Sequence, residues 1–298
     1  MTARLRTCLA LALALLAVAA PASARAFSAR VHHVRAGGTR IAWYERGHGA
    51  PLVLLMGTGS TMSEWDPALL RLLAPHHRLI LFDYPGVGFS GRWHGRSFDS
   101  LANATGAFMG AIGLKRADVL GWSMGGFVAQ RLVIDHPGRV SRLVLAGTNP
   151  GGGHTRLGTH REQEIDSNPH PSTEEILSEL YPPHEIGEGR RFLHRLVHAS
   201  QTGEIPNDFR VAAATTHRQV AAESPWLLSN RNWDQLAGTQ VPTLAAAGRE
   251  DPVVPPVNLR HIAEQVPGAR LRVFAGAHAF LFQQRLAFSK VVDAFLAG

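Results

Sequence analysis

The chain has 298 residues, of which 45% are hydrophobic and 18% are charged, and its formal net charge at pH 7 is +7. This is the composition of an ordinary globular protein with enough apolar residues for a core, and the length permits one large domain or two small ones. Nearly all of the basic residues are scattered arginines, so no run of positive charge indicates a nucleic-acid-binding surface.

The first 24 residues have the pattern of a secretory signal peptide. A basic segment with Arg4 and Arg6 precedes an almost wholly apolar run over 8–20, and small residues at 22–24 supply a cleavage site. The apolar run is short for a membrane span, although an uncleaved N-terminal anchor is an alternative. Cleavage would remove two arginines and no acidic residue, which leaves a net charge of +5. We therefore expect an exported protein, periplasmic or secreted, with no stable membrane span after cleavage.

The single cysteine of the chain, Cys8, lies inside this predicted signal. A lipoprotein cysteine would follow the apolar run, so Cys8 does not indicate lipidation. Cleavage after residue 24, or alternatively after Ala26, would leave a mature chain without cysteine. This excludes a disulfide, a cysteine nucleophile and a cysteine metal site in the mature protein.

Predicted strands and helices alternate through the first half of the mature chain. Two short strands flank the Gly37-Gly38 turn, and an apolar run then predicts a strand buried on both faces of a sheet. The predicted strands cover 31–34, 39–44, 51–56, 78–83, 117–120 and 140–146, and the predicted helices cover 65–73, 98–112 and 127–133. This alternation predicts a mostly parallel, doubly wound α/β sheet.

The alternation stops at about residue 147. The following segment is polar, rich in histidine and proline, and helical in pattern, with a capping box at 172–175 and an apolar stripe at 192–197. We interpret residues 149–235 as a helical cap inserted into a core formed by 25–148 and 236–298. Strands at 241–247 and 270–274 and helices at 258–265 and 280–296 complete that core.

Gly121-Trp122-Ser123-Met124-Gly125-Gly126 matches the Gly-x-Ser-x-Gly nucleophile elbow, with a strand pattern before it and a helix pattern after it. The flanking glycines relieve crowding where a serine is held in a strained turn. The turn also places the hydroxyl at a helix N-terminus, which favours developing negative charge. Ser123 is therefore the predicted nucleophile.

A serine hydroxyl needs a base to take its proton, and the base needs an acid to orient it. Asp251 directly follows the predicted strand at 241–247 and precedes a Pro-Val-Val-Pro segment, which makes it the predicted acid, with Glu250 as the competing residue. His278 lies between the last predicted strand and the last predicted helix and is the predicted base. The oxyanion needs two backbone N–H donors, for which we predict Met124 and Thr58.

Together these residues resemble the α/β-hydrolase superfamily, in particular its small esterases, haloperoxidase-like enzymes and C–C hydrolases. The resemblance covers nearly all of the mature chain, through the segments 52–60, 83–90, 121–126, 241–255 and 276–280. It implies an α/β-hydrolase fold in which the triad follows in the order Ser, Asp or Glu, His, each at the carboxyl end of a strand. That order is what selects His278 among the 16 histidines of the chain.

The chain departs from the superfamily pattern at two loops. Met56-Gly57 stands where His-Gly is usual, so the backbone donor survives while the support of the loop changes. Pro85 stands where the segment at 83–90 usually has an arginine, which removes a structural charge. The chain also lacks the His-Gly-Gly-Pro-Gly loop of proline iminopeptidases, and serine at 123 argues against haloalkane dehalogenases and epoxide hydrolases, which use aspartate there.

The cap contains polar and aromatic residues whose role the sequence leaves open. His194 and His198 are four residues apart, a spacing that could bind a metal, but no acidic partner is evident and we interpret them as a solvated or packed helix face. Phe192, Trp226 and Trp233 either line a substrate pocket or form the core of the cap. Trp122, beside the nucleophile, is expected to pack behind the elbow.

The sequence thus predicts a serine hydrolase that cleaves a carboxylic ester or lactone of a small to medium, largely apolar substrate through an acyl-enzyme on Ser123. No cofactor or metal is expected, the expected partner is a small ester-type molecule, and the oligomeric state is undetermined. A C–C hydrolase or cofactor-free haloperoxidase with the same triad is one alternative. A hydrolase-like ligand-binding protein with slow turnover is another.

Overall fold

A single sheet of eight strands lies at the centre of the computed structural model, which describes residues 29–167 and 172–298. The predicted signal peptide at 1–24 lies outside these residues. The strands are β1 (His32–Ala36), β2 (Thr39–Arg46), β3 (Ala50–Leu55), β4 (His77–Phe82), β5 (Ala117–Trp122), β6 (Val140–Ala146), β7 (Thr243–Gly248) and β8 (Arg270–Phe274). Their order in the sheet is β1-β2-β4-β3-β5-β6-β7-β8.

The sheet is mostly parallel, as predicted. Strand β2 runs antiparallel to β1 and β4, and all other neighbours are parallel. The chain leaves β3 toward β4 on one side and leaves β5 toward β6 on the other side, so the order reverses between β3 and β5. Loops at the carboxyl ends of two such strands diverge and leave a crevice, which is where open α/β sheets bind ligands.

Helices cover both faces of the sheet. The helices are α1 (Pro67–Leu73), α2 (Phe98–Ala111), α3 (Met124–Asp135), α4 (His160–Ser167), α5 (Thr173–Leu180), α6 (Ile186–Gln201), α7 (Ala213–Leu228), α8 (Arg231–Leu236), α9 (Val257–Gln265), α10 (Phe280–Gln283) and α11 (Arg285–Ala297). Helices α4 to α8 lie between β6 and β7, in the segment where the sequence predicts the cap, and α8 packs against α3 and α9.

The apolar run of β3 shows why the core has two halves. Successive side chains of a strand point to opposite faces. Leu52 and Leu54 accordingly join the cluster that contains α1 and α11, whereas Val53 and Leu55 join the cluster that contains α2 and α3. All four side chains are buried. A strand that is covered on both faces must be continuously apolar, which is the pattern read from the sequence.

The predicted helix boundaries need one correction at the C-terminus. The single helix predicted over 280–296 is two helices, because the backbone of Gln284 (φ −96°, ψ 31°) interrupts the helical path between α10 and α11. The preceding side chain, Gln283, accepts the Ala277 N–H and donates to Glu185 in the inserted segment. The break thus coincides with tertiary contacts that the periodicity of the sequence does not report.

The predicted capping box is confirmed at the start of α5. The Ser172 hydroxyl accepts the Glu175 N–H at 3.2 Å, and the Glu175 carboxylate accepts the Ser172 N–H at 2.6 Å. No helix in the described part of the chain is both long enough and apolar enough to cross a membrane.

Candidate active site

Ser123 occupies the turn between β5 and α3, since the strand ends at Trp122 and the helix begins at Met124. Its backbone has φ 55° and ψ −124°, and it is the single non-glycine residue with positive φ among those that the structure describes. The Ser123 N–H donates to the Ala146 carbonyl at 3.0 Å and the Gly126 N–H donates to the Ser123 carbonyl at 2.8 Å. Strain of this kind costs about 1–3 kcal/mol and is concentrated at functional sites.

The glycines on either side of Ser123 are required by close packing of the backbone. A Cβ added at Gly121 would lie 2.3 Å from the Gly125 carbonyl oxygen, and a Cβ at Gly125 would lie 2.0 Å from that of Leu55. Both distances are far shorter than van der Waals contact. The backbone at Gly121 therefore packs directly against Gly125, and Gly125 packs directly against the end of β3. The elbow is thereby held at the crevice between β3 and β5.

Asp251 and His278, the predicted acid and base, form a buried hydrogen-bonded pair. His278 Nδ1 lies 2.8 Å from Asp251 Oδ2, and the two residues are 1% and 4% exposed. The other carboxylate oxygen, Oδ1, accepts the N–H groups of Val253 and Val254 at 3.0 and 2.8 Å. Because Asp251 engages Nδ1, the Nε2 atom is the ring nitrogen left for a reacting group. The competing acid, Glu250, is exposed to solvent.

Trp122, the last residue of β5, hydrogen-bonds to the backbone of His278. Its indole N–H donates to the His278 carbonyl at 3.0 Å, and the two rings lie 5.3 Å apart between centroids. The His278 N–H in turn donates to the Glu179 carbonyl at the end of α5, at 3.4 Å. The sequence predicted packing behind the elbow and missed this hydrogen bond, which joins residues 156 positions apart.

Gly147, directly after β6, lies against the Asp251–His278 pair. Its φ is +52°, and an added Cβ would lie 3.3 Å from the His278 ring and 3.5 Å from Asp251 Oδ2. The preceding residue, Ala146, accepts the Ser123 N–H. The carboxyl end of β6 therefore contacts both the elbow and the acid–base pair, and it brings the three predicted triad residues to one edge of the sheet.

The loop after β3 closes the other side of Ser123. A Cβ added at Gly57 would lie 3.3 Å from Ser123 Cβ, so this loop touches the nucleophile. Thr58 is buried in the loop, and Met124 is buried at the first position of α3, where the backbone N–H has no partner within the helix. These are the positions of the predicted oxyanion donors.

Gln219, a residue of α7 that the sequence did not single out, reaches the same loop. The side-chain oxygen of Gln219, in α7, accepts the Gly59 N–H at 2.8 Å, and Gln219 is fully buried. The two residues are 160 positions apart, and a glutamine in a helical segment carries no sequence signal for such a contact.

Two buried carboxyl groups support the continuation of this loop. The Thr61 N–H donates to Glu64 Oε2 at 2.6 Å, and the Met62 N–H donates to Asp83 Oδ1 at 2.8 Å. Burial raises the pKa of Glu64 to about 8 and the pKa of Asp83 to about 7. Both acids therefore carry less negative charge near neutral pH than exposed carboxyls do.

The histidines and aromatic residues of the predicted cap differ in exposure and in the side chains they contact. His194 and His198 are exposed, and the described ranges contain no group of three or more His, Cys, Asp or Glu side chains arranged to hold a metal ion. Phe192 stacks on Phe282 with centroids 5.2 Å apart, and the Trp226 indole donates to Asn149 Oδ1 at 2.8 Å. Trp233 stacks on His154 at 3.9 Å. The contacts of these three aromatic residues are therefore with other side chains of the protein.

Comparison with known proteins decides the family. Residues 50–285 match the family model described as alpha/beta hydrolase fold. The chain belongs to the α/β hydrolase family. This α/β hydrolase is 31% identical over 255 residues to the protein named "Putative carbamate hydrolase RutD" from Azorhizobium caulinodans, a match that covers 82% of this chain and 90% of the relative.

Other relatives agree with this assignment. A poly(3-hydroxyalkanoate) depolymerase from Ectopseudomonas oleovorans is 29% identical over 84% of this chain and 85% of its own. Among solved structures, an alpha/beta hydrolase fold protein from Chitinophaga pinensis superposes with a TM-score of 0.80 at 23% identity, over 90% of this chain and 97% of the other. The protein is thus an α/β hydrolase enzyme with the fold predicted from its sequence.

Proposed function

We propose that this α/β hydrolase cleaves a carboxylic ester or lactone of a small to medium substrate through an acyl-enzyme on Ser123. One observation carries the proposal: the buried Asp251–His278 pair and the strained Ser123 elbow both contact the carboxyl end of β6. A nucleophile, a base and an orienting acid at one sheet edge are the groups that acyl transfer needs.

The proposed reaction begins when the Ser123 hydroxyl oxygen attacks the carbonyl carbon and His278 Nε2 takes the hydroxyl proton. Asp251 holds the imidazole through Nδ1 and stabilises the positive charge that forms on it. The N–H groups of Thr58 and Met124 receive the negative oxygen of the tetrahedral intermediate.

The intermediate then breaks its bond to the leaving alkoxide, which takes the proton from His278. The resulting alcohol departs from an ester, whereas in a lactone it remains attached to the acyl group as a hydroxyl. Water attacks the acyl-enzyme carbonyl next and gives its proton to His278. The second tetrahedral intermediate collapses to a carboxylic acid, and Ser123 recovers its proton from His278. The relative named as a poly(3-hydroxyalkanoate) depolymerase supports an acyl substrate for this chemistry.

Intact-mass spectrometry after treatment with a fluorophosphonate tests the nucleophile. One adduct on the wild-type protein and none on Ser123→Ala is the expected result, followed by turnover of short p-nitrophenyl esters. A folded wild-type protein without an adduct would contradict the proposal and favour a ligand-binding protein. Labelling of Ser123 with cleavage of a vinylogous diketone and no ester would favour a C–C hydrolase.

We also propose that the protein is exported. The support is the basic segment, apolar run and small-residue cleavage site of the first 24 residues. Sequencing the N-terminus of the protein from the periplasm and the medium of an expressing bacterium tests this, with a start at Arg25 or Phe27 expected. A protein that keeps Met1 in every fraction would contradict cleavage.

A further inference from the structure

Gln219 lies fully buried in the middle of the cap helix α7, and its amide has two different environments. A backbone N–H can only donate, so the side-chain oxygen must be the atom that faces Gly59, at 2.8 Å. The Nε2 atom of the same planar amide is buried and has no hydrogen-bond partner among the described residues. Gln219 therefore combines one satisfied acceptor with one unused pair of donors.

This unused donor lies beside the predicted oxyanion hole. Gly59 directly follows Thr58, and the loop that contains both touches Ser123 through Gly57. Helix α7 is anchored to the neighbouring loop after β4, because Thr215 Oγ1 donates to the Gly86 carbonyl at 3.0 Å. Two hydrogen bonds thus set the position of the Gln219 amide. One joins its own Oε1 to the Gly59 N–H, and the other joins Thr215, one turn earlier on α7, to Gly86.

A buried donor without an acceptor calls for a physical reason. Among the buried side-chain atoms that lack a partner in the described residues, Gln219 Nε2 is the one whose side chain also bonds the residue after Thr58. A substrate carbonyl must sit against Ser123 and the Thr58 N–H during reaction, which brings the adjoining parts of the substrate near Gly59. Ligand sites of enzymes are mostly apolar with a few placed polar groups that fix orientation. The free Gln219 N–H₂ fits that role.

We propose that Gln219 holds the oxyanion loop through Oε1 and binds, through Nε2, a second acceptor oxygen of the substrate next to the scissile carbonyl. The substrate is then an ester that carries an ether, hydroxyl or carbonyl oxygen in its acyl or alcohol chain, rather than a plain hydrocarbon ester. This inference rests on the proposed ester hydrolysis and adds one polar contact to the largely apolar substrate expected from the sequence.

Two pairs of esters, matched in shape, test the contact and locate the oxygen. Ethyl 3-methoxypropanoate is compared with ethyl pentanoate for the acyl chain, and 2-methoxyethyl butyrate with butyl butyrate for the alcohol. Each pair differs by one CH₂ replaced by an acceptor-only oxygen. The kcat and KM of all four are measured by pH-stat for the wild type, for Gln219→Met, which keeps the side-chain length, and for Thr215→Val, which removes another hydrogen bond of α7.

For each pair, the kcat/KM of the ether ester is divided by the kcat/KM of the hydrocarbon ester. For one of the two pairs, this ratio should be about tenfold lower in Gln219→Met than in the wild type, mainly because the KM of the ether ester rises. The affected pair identifies the acyl or the alcohol chain as the source of the oxygen. Thr215→Val should leave the ratio at its wild-type value, because a loosened cap alone does not discriminate between the matched esters.

Equal ratios in the wild type and Gln219→Met for both pairs would overturn the inference while leaving ester hydrolysis intact. No turnover of any of the four esters, with no fluorophosphonate adduct, would overturn the proposed function itself. If Gln219→Met does not fold, Gln219→Leu removes the donating N–H₂ with a smaller apolar side chain, and the same loss of ether preference is expected.

Discussion

Asp251 Oδ2 lies 2.8 Å from His278 Nδ1, although the two residues follow different strands and are 27 positions apart. The partner oxygen of Asp251 is held by two backbone N–H groups of its own turn, those of Val253 and Val254. The carboxylate is therefore oriented before any substrate binds, and its other oxygen, Oδ2, faces the imidazole. A pair built in this way presents Nε2 of His278 in one tautomer and one orientation.

Asp251→Asn should lower kcat by about four orders of magnitude, as loss of the orienting carboxylate does in serine proteases, because the amide no longer favours the productive tautomer. Steady-state hydrolysis of p-nitrophenyl butyrate measures the effect. The neighbouring Glu250 is exposed, so Glu250→Gln is the matched control and should retain wild-type kcat. If Glu250→Gln were the damaging change, the acid would be misassigned.

Gly147→Ala should reduce kcat by about tenfold or more, because the new methyl group would lie 3.3 Å from the His278 ring and would displace it. Gly268→Ala is the control for backbone strain: its φ is +70°, and an added Cβ meets nothing within 4 Å. Both variants should lose about 1–2 kcal/mol of stability from the left-handed conformation. Only Gly147→Ala should lose activity, and equal kcat values for the two variants would show that the ring tolerates the methyl group.

Arg195→Met should destabilise the protein by about 3–5 kcal/mol, because it leaves the buried Asp66 carboxylate without its cationic partner. Arg195, in α6, donates to both oxygens of Asp66 at 3.0 and 2.7 Å, and the Asp66 side chain is 0% exposed. Urea unfolding measures the change.

Arg190→Met, on the same helix, is the control for Arg195→Met. It breaks an ion pair with Glu174 whose side chains are 60% and 61% exposed, and should change stability by less than about 1 kcal/mol. Adding Asp66→Asn to Arg195→Met should restore part of the loss. A loss no larger than that of Arg190→Met would mean that the buried ion pair does not stabilise the contact between α6 and α1.

Glu64→Gln should make stability less sensitive to pH. Burial raises the pKa of Glu64 to about 8, so the folded protein keeps a proton that the unfolded chain releases above its ordinary value of 4.5. The free energy of unfolding of the wild type should therefore fall as the pH rises from about 4.5 to about 8. Glutamine mimics the neutral acid and removes this contribution.

Urea unfolding at intervals between pH 5 and pH 8 measures that dependence. Glu64→Gln should be stabilised relative to the wild type by more at pH 8 than at pH 5. Glu45→Gln, at an exposed position of β2, should reproduce the wild-type slope. A Glu64→Gln slope as steep as that of the wild type would mean that the buried carboxyl does not titrate in this range.

Local patterns in the sequence were enough to predict the strands of the parallel sheet. The continuous apolar run at 51–56 follows from burial on both faces of the sheet, which requires apolar side chains at the buried positions. The strand predicted at 140–146 has the bounds of β6. The final helix was predicted as one element, because periodicity cannot report that Gln283 bonds to Ala277 and Glu185 and that the backbone breaks at Gln284.

The sequence by itself determined the fold class, the Ser123 elbow and the order in which Asp251 and His278 follow it, since each depends on residue types close together in the chain. Only the tertiary structure decided which groups meet: the Trp122 indole on the His278 carbonyl, Gln219 on the Gly59 N–H, and Arg195 on Asp66. Hydrogen bonds are short and directional, so contacts between residues more than a hundred positions apart depend on how the sheet, the loops and the helices between β6 and β7 pack together. No local pattern in the sequence encodes that geometry.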